Sequence, residues 1–157
     1  MKYHGEGWQG NYHFVDLPWV SEGSESDYDI PEEARNLTEA LPALVAWLSQ
    51  KQGTDYMTSS IYTHLMEEFD DENVAKSYAL RLIVHYMGDI MQPLHCETHY
   101  DSEFPEGDKG GNDVPLKYHY DVDELHALWD KLMYDGYHNV DRPFTDETWT
   151  AWQVNVT

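Results

Sequence analysis

The chain has 157 residues, enough for one domain with one core, and a formal net charge of −21. So acidic a surface repels the nucleic-acid backbone at long range, which excludes a protein that binds duplexes through a basic patch. A site that acts on phosphates is not excluded, because bound metal ions would bring positive charge to it. The single cysteine, Cys96, excludes an internal disulfide, and no apolar stretch is long enough to span a membrane.

Four segments carry apolar residues at helical spacing. They run over residues 36–50, 59–69, 72–91 and 122–133. Pro42 predicts a start or a kink within the first segment, and Pro93 predicts the end of the third. In the third segment we expect a broad inward face formed by Val74, Tyr78, Leu82, Ile83, His85, Tyr86 and Asp89.

The segments between these helices predict loops. Residues 12–20 (YHFVDLPWV) predict a loop or a short extended piece, and the acidic, serine-rich residues 21–33 predict a solvated loop. Glycines and prolines punctuate residues 97–121, which predict a long loop. Helices joined by long loops that carry function indicate an all-α fold.

Two of the predicted helices each carry a histidine and an aspartate four residues apart. His85 and Asp89 lie in LRLIVHYMGDIMQPLH, and His126 and Asp130 lie in LHALWD. Residues at i and i+4 share one helix face, about 6 Å apart along the axis, so both side chains can bind one metal ion. His95 follows the first of these helices, where a further ligand could approach. Imidazole nitrogen with carboxylate oxygen suits zinc, which predicts metal-assisted hydrolysis.

A surface hydrogen bond is the alternative for each pair, because this spacing is common on helices. Both pairs are surrounded by apolar residues, which are Leu82, Ile83, Val84 and Ile90 for the first and Leu125, Leu128 and Trp129 for the second. An ionised carboxylate on an apolar face is costly unless it is paired or bound to a cation. The presence of two such carboxylates in one short chain favours metal binding by both pairs over surface hydrogen bonds.

These stretches, with YHFVD at residues 12–16 and GDKGGN at residues 107–112, resemble the zinc-dependent single-strand-specific nucleases of the S-one/P-one type, relatives of bacterial zinc phospholipase C. The resemblance implies a mostly helical fold with three zinc ions in a cleft. It matches two ligand sets, His13, His85 and Asp89 for one zinc and His95, His126 and Asp130 for a second. Asp89 also matches the carboxylate that bridges to the third zinc, and we expect it to be catalytic.

The resemblance also implies a base-binding pocket beside the zinc ions. Phe14 matches the aromatic that stacks on a base, and Asp16 and Asn112 match the polar groups that bind its edge. Gly110 and Gly111 match the backbone that lines the pocket. Plain core packing is the alternative for Phe14. The implied activity is endonucleolytic hydrolysis of single-stranded DNA and RNA to 5′-phosphorylated products, with 3′-nucleotidase activity on mononucleotides.

Some features of the family have no match in this sequence. These are an N-terminal Trp whose amino group binds zinc, a His ligand soon after it, and an Asp before the YHFVD-like segment that completes one site and serves in catalysis. We therefore expect a single zinc nuclease domain over residues 1–157 that is truncated at both ends. Two alternatives stay open: a phospholipase C-like zinc hydrolase, against which Asp16 and Asn112 argue, and a zinc-binding fragment without catalysis.

The cellular context is indicated by short motifs. Asn36-Leu37-Thr38 and Asn155-Val156-Thr157 match the acceptor pattern for N-glycosylation. The opening MKYHGEGWQG has no apolar signal-peptide core. The resemblance implies a secreted or lysosome-like compartment, and we expect a monomeric glycoprotein that binds single-stranded nucleic acid and nucleotides and no membrane.

Overall fold

The computed structural model describes residues 7–31, 36–117 and 122–131, together with residues 145 and 147. The chain divides into two compact units, Met1–Gly110 and Gly111–Thr157. Among the described residues, no helix is both long enough and apolar enough to cross a membrane.

Three α-helices form the core of the first unit, and they confirm the first three predicted helices. They are α1 (Leu37–Leu48), α2 (Ser60–Glu68) and α3 (Glu72–Asp89). Asn36, Ser59 and Asp71 cap them by accepting backbone N–H groups of the first turn. Because the cap at Asn36 sets the start, α1 continues through Pro42 rather than beginning there. Short 3₁₀ turns lie outside these helices at Gly7–His13, Glu25–Asp27, Tyr56–Thr58 and Pro93–His95.

The buried face of α3 confirms Leu82, Tyr86 and Asp89 of the predicted face, but Ala75 and Ala79 take the place expected for Val74. Val74 is 50% exposed, and the buried positions are Ala75, Ala79, Leu82, Tyr86 and Asp89. Two alanines on this face leave room for another helix to pack closely. The core around them contains Tyr12, Leu37, Leu44, Trp47, Ile61 and Leu65.

A parallel pair of short strands joins two distant parts of the first unit. Strand β1 (Leu17–Val20) pairs with β2 (Glu97–Tyr100), with Leu17 opposite Glu97 and Val20 opposite Tyr100. The loop prediction for residues 97–121 is therefore wrong over β2, whose partner lies too far away in sequence to leave a local pattern. Since helices dominate the described residues, the all-α class is confirmed.

The second unit contains α4 (Leu125–Lys131), which confirms the last predicted helix over those residues. Before it, Pro115 and Glu124 form an isolated antiparallel bridge. The backbone N–H groups of Leu125 and His126 donate to the carbonyls of Val114 and Gly111 at 3.0 and 3.2 Å, and so satisfy two donors of the first turn. The predicted start of this helix is wrong, because residues 122–124 precede α4 and Glu124 takes part in the bridge. Residues 132–133 and the tail with Trp149 and Trp152 lie outside the described residues.

Asn36→Ala should lower the free energy of unfolding by about 1 kcal/mol, the usual cost of losing a helix cap. Asn36 Oδ1 accepts the N–H groups of Thr38 and Glu39 at 3.0 and 3.3 Å, and alanine cannot replace either bond. Urea denaturation measures the change. Asn36→Asp keeps the accepting oxygen and serves as the control; an equal loss in that variant would contradict a capping role.

Candidate metal centre

Three side chains of the first unit converge on one point. His13 Nδ1 lies 2.9 Å from Asp89 Oδ2 and 3.0 Å from His85 Nε2, and His85 Nε2 lies 3.4 Å from Asp89 Oδ2. His13 is the last residue of a 3₁₀ turn, whereas His85 and Asp89 lie one turn apart at the end of α3. The structure thus brings together three residues that the sequence resemblance matches to one zinc.

The geometry of this group fits a tetrahedral zinc ion. With zinc–ligand bonds of 2.0–2.1 Å, neighbouring ligand atoms of a tetrahedron lie about 3.3 Å apart. The separations of 2.9–3.4 Å are close to that value. Without a cation, a single N–H shared among the two histidine nitrogens and Asp89 Oδ2 can hold the three atoms together. A cation would instead accept one lone pair from each of them, which is the arrangement that a zinc site requires.

The position of Asp89 also calls for positive charge. Asp89 is only 8% exposed and is the last residue of α3, where the helix dipole presents partial negative charge. Burial lowers the pKa of His85, and the negative charge of Asp89 only partly offsets this effect. His85 therefore favours the neutral imidazole, which is the form that binds a metal. Burial also raises the pKa of Tyr86, a neutral ring that contacts His13 edge-on at 5.3 Å.

His95 lies beside this group in the first unit. Its Nδ1 lies 2.8 Å from the backbone carbonyl oxygen of His13, so Nδ1 carries the proton and the lone pair is on Nε2. Asp89 Oδ1 lies 3.8 Å from the same Nδ1. The two oxygens of Asp89 consequently face different histidines, Oδ2 towards His13 and His85 and Oδ1 towards His95.

The second unit places His126 and Asp130 one turn apart on α4, with His126 Nε2 at 3.7 Å from Asp130 Oδ2. His126 is buried, but the side chain of Asp130 is 52% exposed and Trp129 is 41% exposed. The argument from a costly carboxylate on an apolar face therefore applies to Asp89 and is wrong for Asp130, which can be ionised in contact with solvent. That His95 joins this pair stays a prediction.

Two of the residues matched to the base pocket lie next to the parallel strands. Phe14 is half-buried and stacks on His95, with ring centroids 4.7 Å apart and an interplanar angle of 28°. Asp16 has a positive φ of 49°, a conformation that aspartate tolerates better than most residues. Its side-chain Oδ1 accepts a hydrogen bond from the Thr98 hydroxyl at 3.1 Å.

Asp108 attaches the start of the glycine-rich segment, residues 107–112, to strand β2. Asp108 is 6% exposed, its Oδ1 accepts the backbone N–H of His99 at 2.9 Å, and its own N–H donates to the His99 carbonyl at 2.9 Å. Gly110, with a φ of 59°, approaches Leu94 closely. In the second unit, the carbonyl of Gly111 accepts the N–H of His126, and Asn112 is exposed.

Sequence reasoning missed Thr98 and Asp108 as parts of this region. Neither belongs to a periodic pattern or to a metal-ligand spacing, and each acts through the strand β2. The missing signal was the pairing of β1 with β2, which no short stretch of sequence reveals.

Comparison with known proteins agrees with the resemblance. The model of the S1/P1 Nuclease family matches residues 1–157. Endonuclease 3 of Arabidopsis thaliana is 28% identical over 129 residues, which are 82% of this chain and 37% of that protein. Nuclease S1 of Aspergillus oryzae is 35% identical over 72 residues, 46% of this chain and 22% of the relative. Nuclease P1 of Penicillium citrinum is 32% identical over 72 residues, 46% of this chain and 24% of the relative.

The chain spans less than half the length of these relatives. No solved structure matches it. Since the family model covers every residue from the first to the last, the chain belongs to the S1/P1 nuclease family.

Proposed function

We propose that this chain acts as a zinc-dependent nuclease, which cleaves single-stranded DNA and RNA to 5′-phosphorylated products and removes 3′-phosphates from mononucleotides. The observation that carries the proposal is the triangle of ligand atoms from His13, His85 and Asp89, whose sides of 2.9–3.4 Å fit zinc. Membership of a nuclease family supports a hydrolase that acts on nucleic acid. Secretion, glycosylation at Asn36 and the monomeric state stay predictions.

Metal ions suit the electrostatics of this reaction. Zinc, when bound, supplies a Lewis acid for the phosphate and lowers the pKa of a water. Such positive charge is needed, because a chain of net charge −21 otherwise repels a phosphodiester. Asp89 Oδ2 contacts His13 and His85, while Oδ1 is directed away from them and lies 3.8 Å from His95 Nδ1, so the two oxygens face different sides, as a bridging carboxylate requires.

The proposal that a second and a third zinc ion bind rests on the resemblance. It assigns His95, His126 and Asp130 to one further ion. The tautomer of His95 supports the assignment, since its lone pair lies on Nε2. The i and i+4 positions of His126 and Asp130 on α4 also support it.

Selection of single strands follows from how a base would be held. Stacking on an aromatic ring is worth about 1–3 kcal/mol per base and requires a base that has left the duplex. We assign Phe14 to this stacking, as the resemblance implies, because its half-buried ring lies beside the candidate ligand His95. Asp16 and Asn112 then bind the base edge, and Gly110 and Gly111 line the pocket. Core packing of Phe14 is disfavoured as its sole role, because the residue is only half-buried.

The direct test compares three substrates with the zinc-loaded protein. Heat-denatured DNA should be cleaved to 5′-phosphorylated products much faster than the same DNA as a duplex, and phosphatidylcholine vesicles should not be hydrolysed. Hydrolysis of the lipid alone would replace the proposal with a phospholipase C-like activity. Zinc binding without hydrolysis of any of the three would instead indicate a chain that binds zinc without catalysis.

His126→Ala should reduce the zinc content by one ion per chain, because it removes one of only three assigned protein ligands. Mass spectrometry under native conditions, or metal analysis after dialysis, measures the ratio. The control is His64→Ala, since His64 stacks on Trp8 at 5.0 Å and belongs to neither ligand group. Unchanged zinc stoichiometry in the His126 variant would argue against the second site.

A further inference from the structure

Thr98 is held in one orientation at the centre of β2. The residue is buried, and its methyl group faces Gly107, where a Cβ atom would lie only 2.7 Å from Thr98 Cγ2. The hydroxyl points the other way and donates to Asp16 Oδ1 at 3.1 Å. The space left by the missing side chain of Gly107 accommodates the methyl group, and the bond to Asp16 Oδ1 holds the hydroxyl.

The backbone of Asp16 is held independently of Thr98. The N–H of Val15 donates to the carbonyl of His95 at 2.8 Å, and the N–H of Leu17 donates to the carbonyl of Cys96 at 2.9 Å. These main-chain bonds on either side fix the positive φ of Asp16. The Thr98 bond therefore acts on the carboxylate of Asp16, whose rotation the backbone does not determine.

We propose that Thr98 is a positioning residue for nucleobase recognition, which sets the plane of the Asp16 carboxylate so that it accepts hydrogen bonds from one edge of an unpaired base. This inference rests on the proposed function, because base binding by Asp16 is part of it. A carboxylate only accepts hydrogen bonds, so it selects base edges that carry N–H donors. Guanine presents two such donors side by side, and both can bond only when the carboxylate plane is aligned with the ring.

Binding of 5′-GMP and of ribose 5-phosphate to the zinc-loaded protein tests the inference by calorimetry. Thr98→Val retains the methyl group and the β-branched shape but lacks the hydroxyl. It should weaken 5′-GMP roughly tenfold, as expected when a hydrogen bond to a charged group is lost, and leave ribose 5-phosphate unchanged. Thr98→Ser restores the hydroxyl and should recover most of the 5′-GMP affinity. Both variants should unfold thermally like the wild type, because main-chain bonds hold the strand.

A second variant separates this inference from the function on which it rests. Asp16→Asn should weaken 5′-GMP, and adding Thr98→Val to Asp16→Asn should weaken it no further, since the two residues act through one carboxylate. If Asp16→Asn weakens 5′-GMP but Thr98→Val does not, the base site stands and the role of Thr98 is overturned. If the wild type binds ribose 5-phosphate as tightly as 5′-GMP, base recognition itself fails, and the role of Thr98 fails with it.

Discussion

Asp89→Asn should weaken zinc binding at the group of His13, His85 and Asp89 by more than about 100-fold, since loss of an outer partner of a ligand already costs 10–100-fold. The amide has nearly the same shape as the carboxylate but no negative charge. Asp89 Oδ2 lies within 2.9 Å of His13 Nδ1 and 3.4 Å of His85 Nε2, so the variant removes the anionic member of the triangle. It should also lower the pKa of His85 further, because the charge of Asp89 is what raises it.

Competition with a chromophoric chelator measures the zinc affinity, and NMR titration of the histidines follows the pKa of His85. Asp101→Asn is a matched control, because Asp101 Oδ2 also lies 3.4 Å from a histidine nitrogen, His99 Nε2, but belongs to neither ligand group. We expect this control to retain its zinc. Equal loss of zinc in both variants would mean that the overall negative charge of the chain, rather than the group of His13, His85 and Asp89, binds the ion.

Gly110→Ala should lower the free energy of unfolding by about 2–5 kcal/mol, the sum of a left-handed backbone at alanine and of overpacking. Gly110 has a φ of 59°, and a Cβ atom there would overlap the carbonyl oxygen of Leu94. That oxygen belongs to the backbone of the turn that ends at His95, so it cannot move without displacing a predicted ligand. We therefore expect a change at His95 together with the loss of stability.

Gly53→Ala isolates the backbone contribution. Gly53 has a φ of 79° but nothing within 4 Å of the position of a Cβ atom, so its replacement should cost only about 1–2 kcal/mol. Urea denaturation of both variants gives the difference, which measures the clash with Leu94. A cost at Gly110 no greater than the cost at Gly53 would contradict the close packing of the glycine-rich segment.

The helices and the histidine–aspartate pairs could be predicted because their signals are local. Apolar spacing located α1 to α4, and the four-residue spacing placed His85 beside Asp89 without knowledge of the fold. The buried face of α3 was harder to predict, because Ala75 and Ala79 carry little hydrophobic signal, while Val74 carries more and is half exposed. Packing against the other helices, which the sequence pattern does not show, determines which of these residues is buried.

The parts that could not be predicted depend on contacts between distant residues. Strand β2 is four residues long and reads as loop until β1 is placed beside it. The contacts of Thr98 with Asp16 and of Asp108 with His99 exist only because of that pairing. Likewise, the exposure of Asp130 does not follow from the apolar residues around it in sequence.

The long sequence separation between His13 and the end of α3 has a kinetic consequence. His13 lies 72 residues before His85 and 76 before Asp89, so the triangle closes only after the chain has formed a very long loop. Closing such a loop costs conformational entropy before any stabilising contact has formed. Folds with many long-range contacts therefore fold slowly. During synthesis α3 can offer only two ligands until the His13 segment docks. We therefore expect the three ligand atoms to converge only once this long loop has closed.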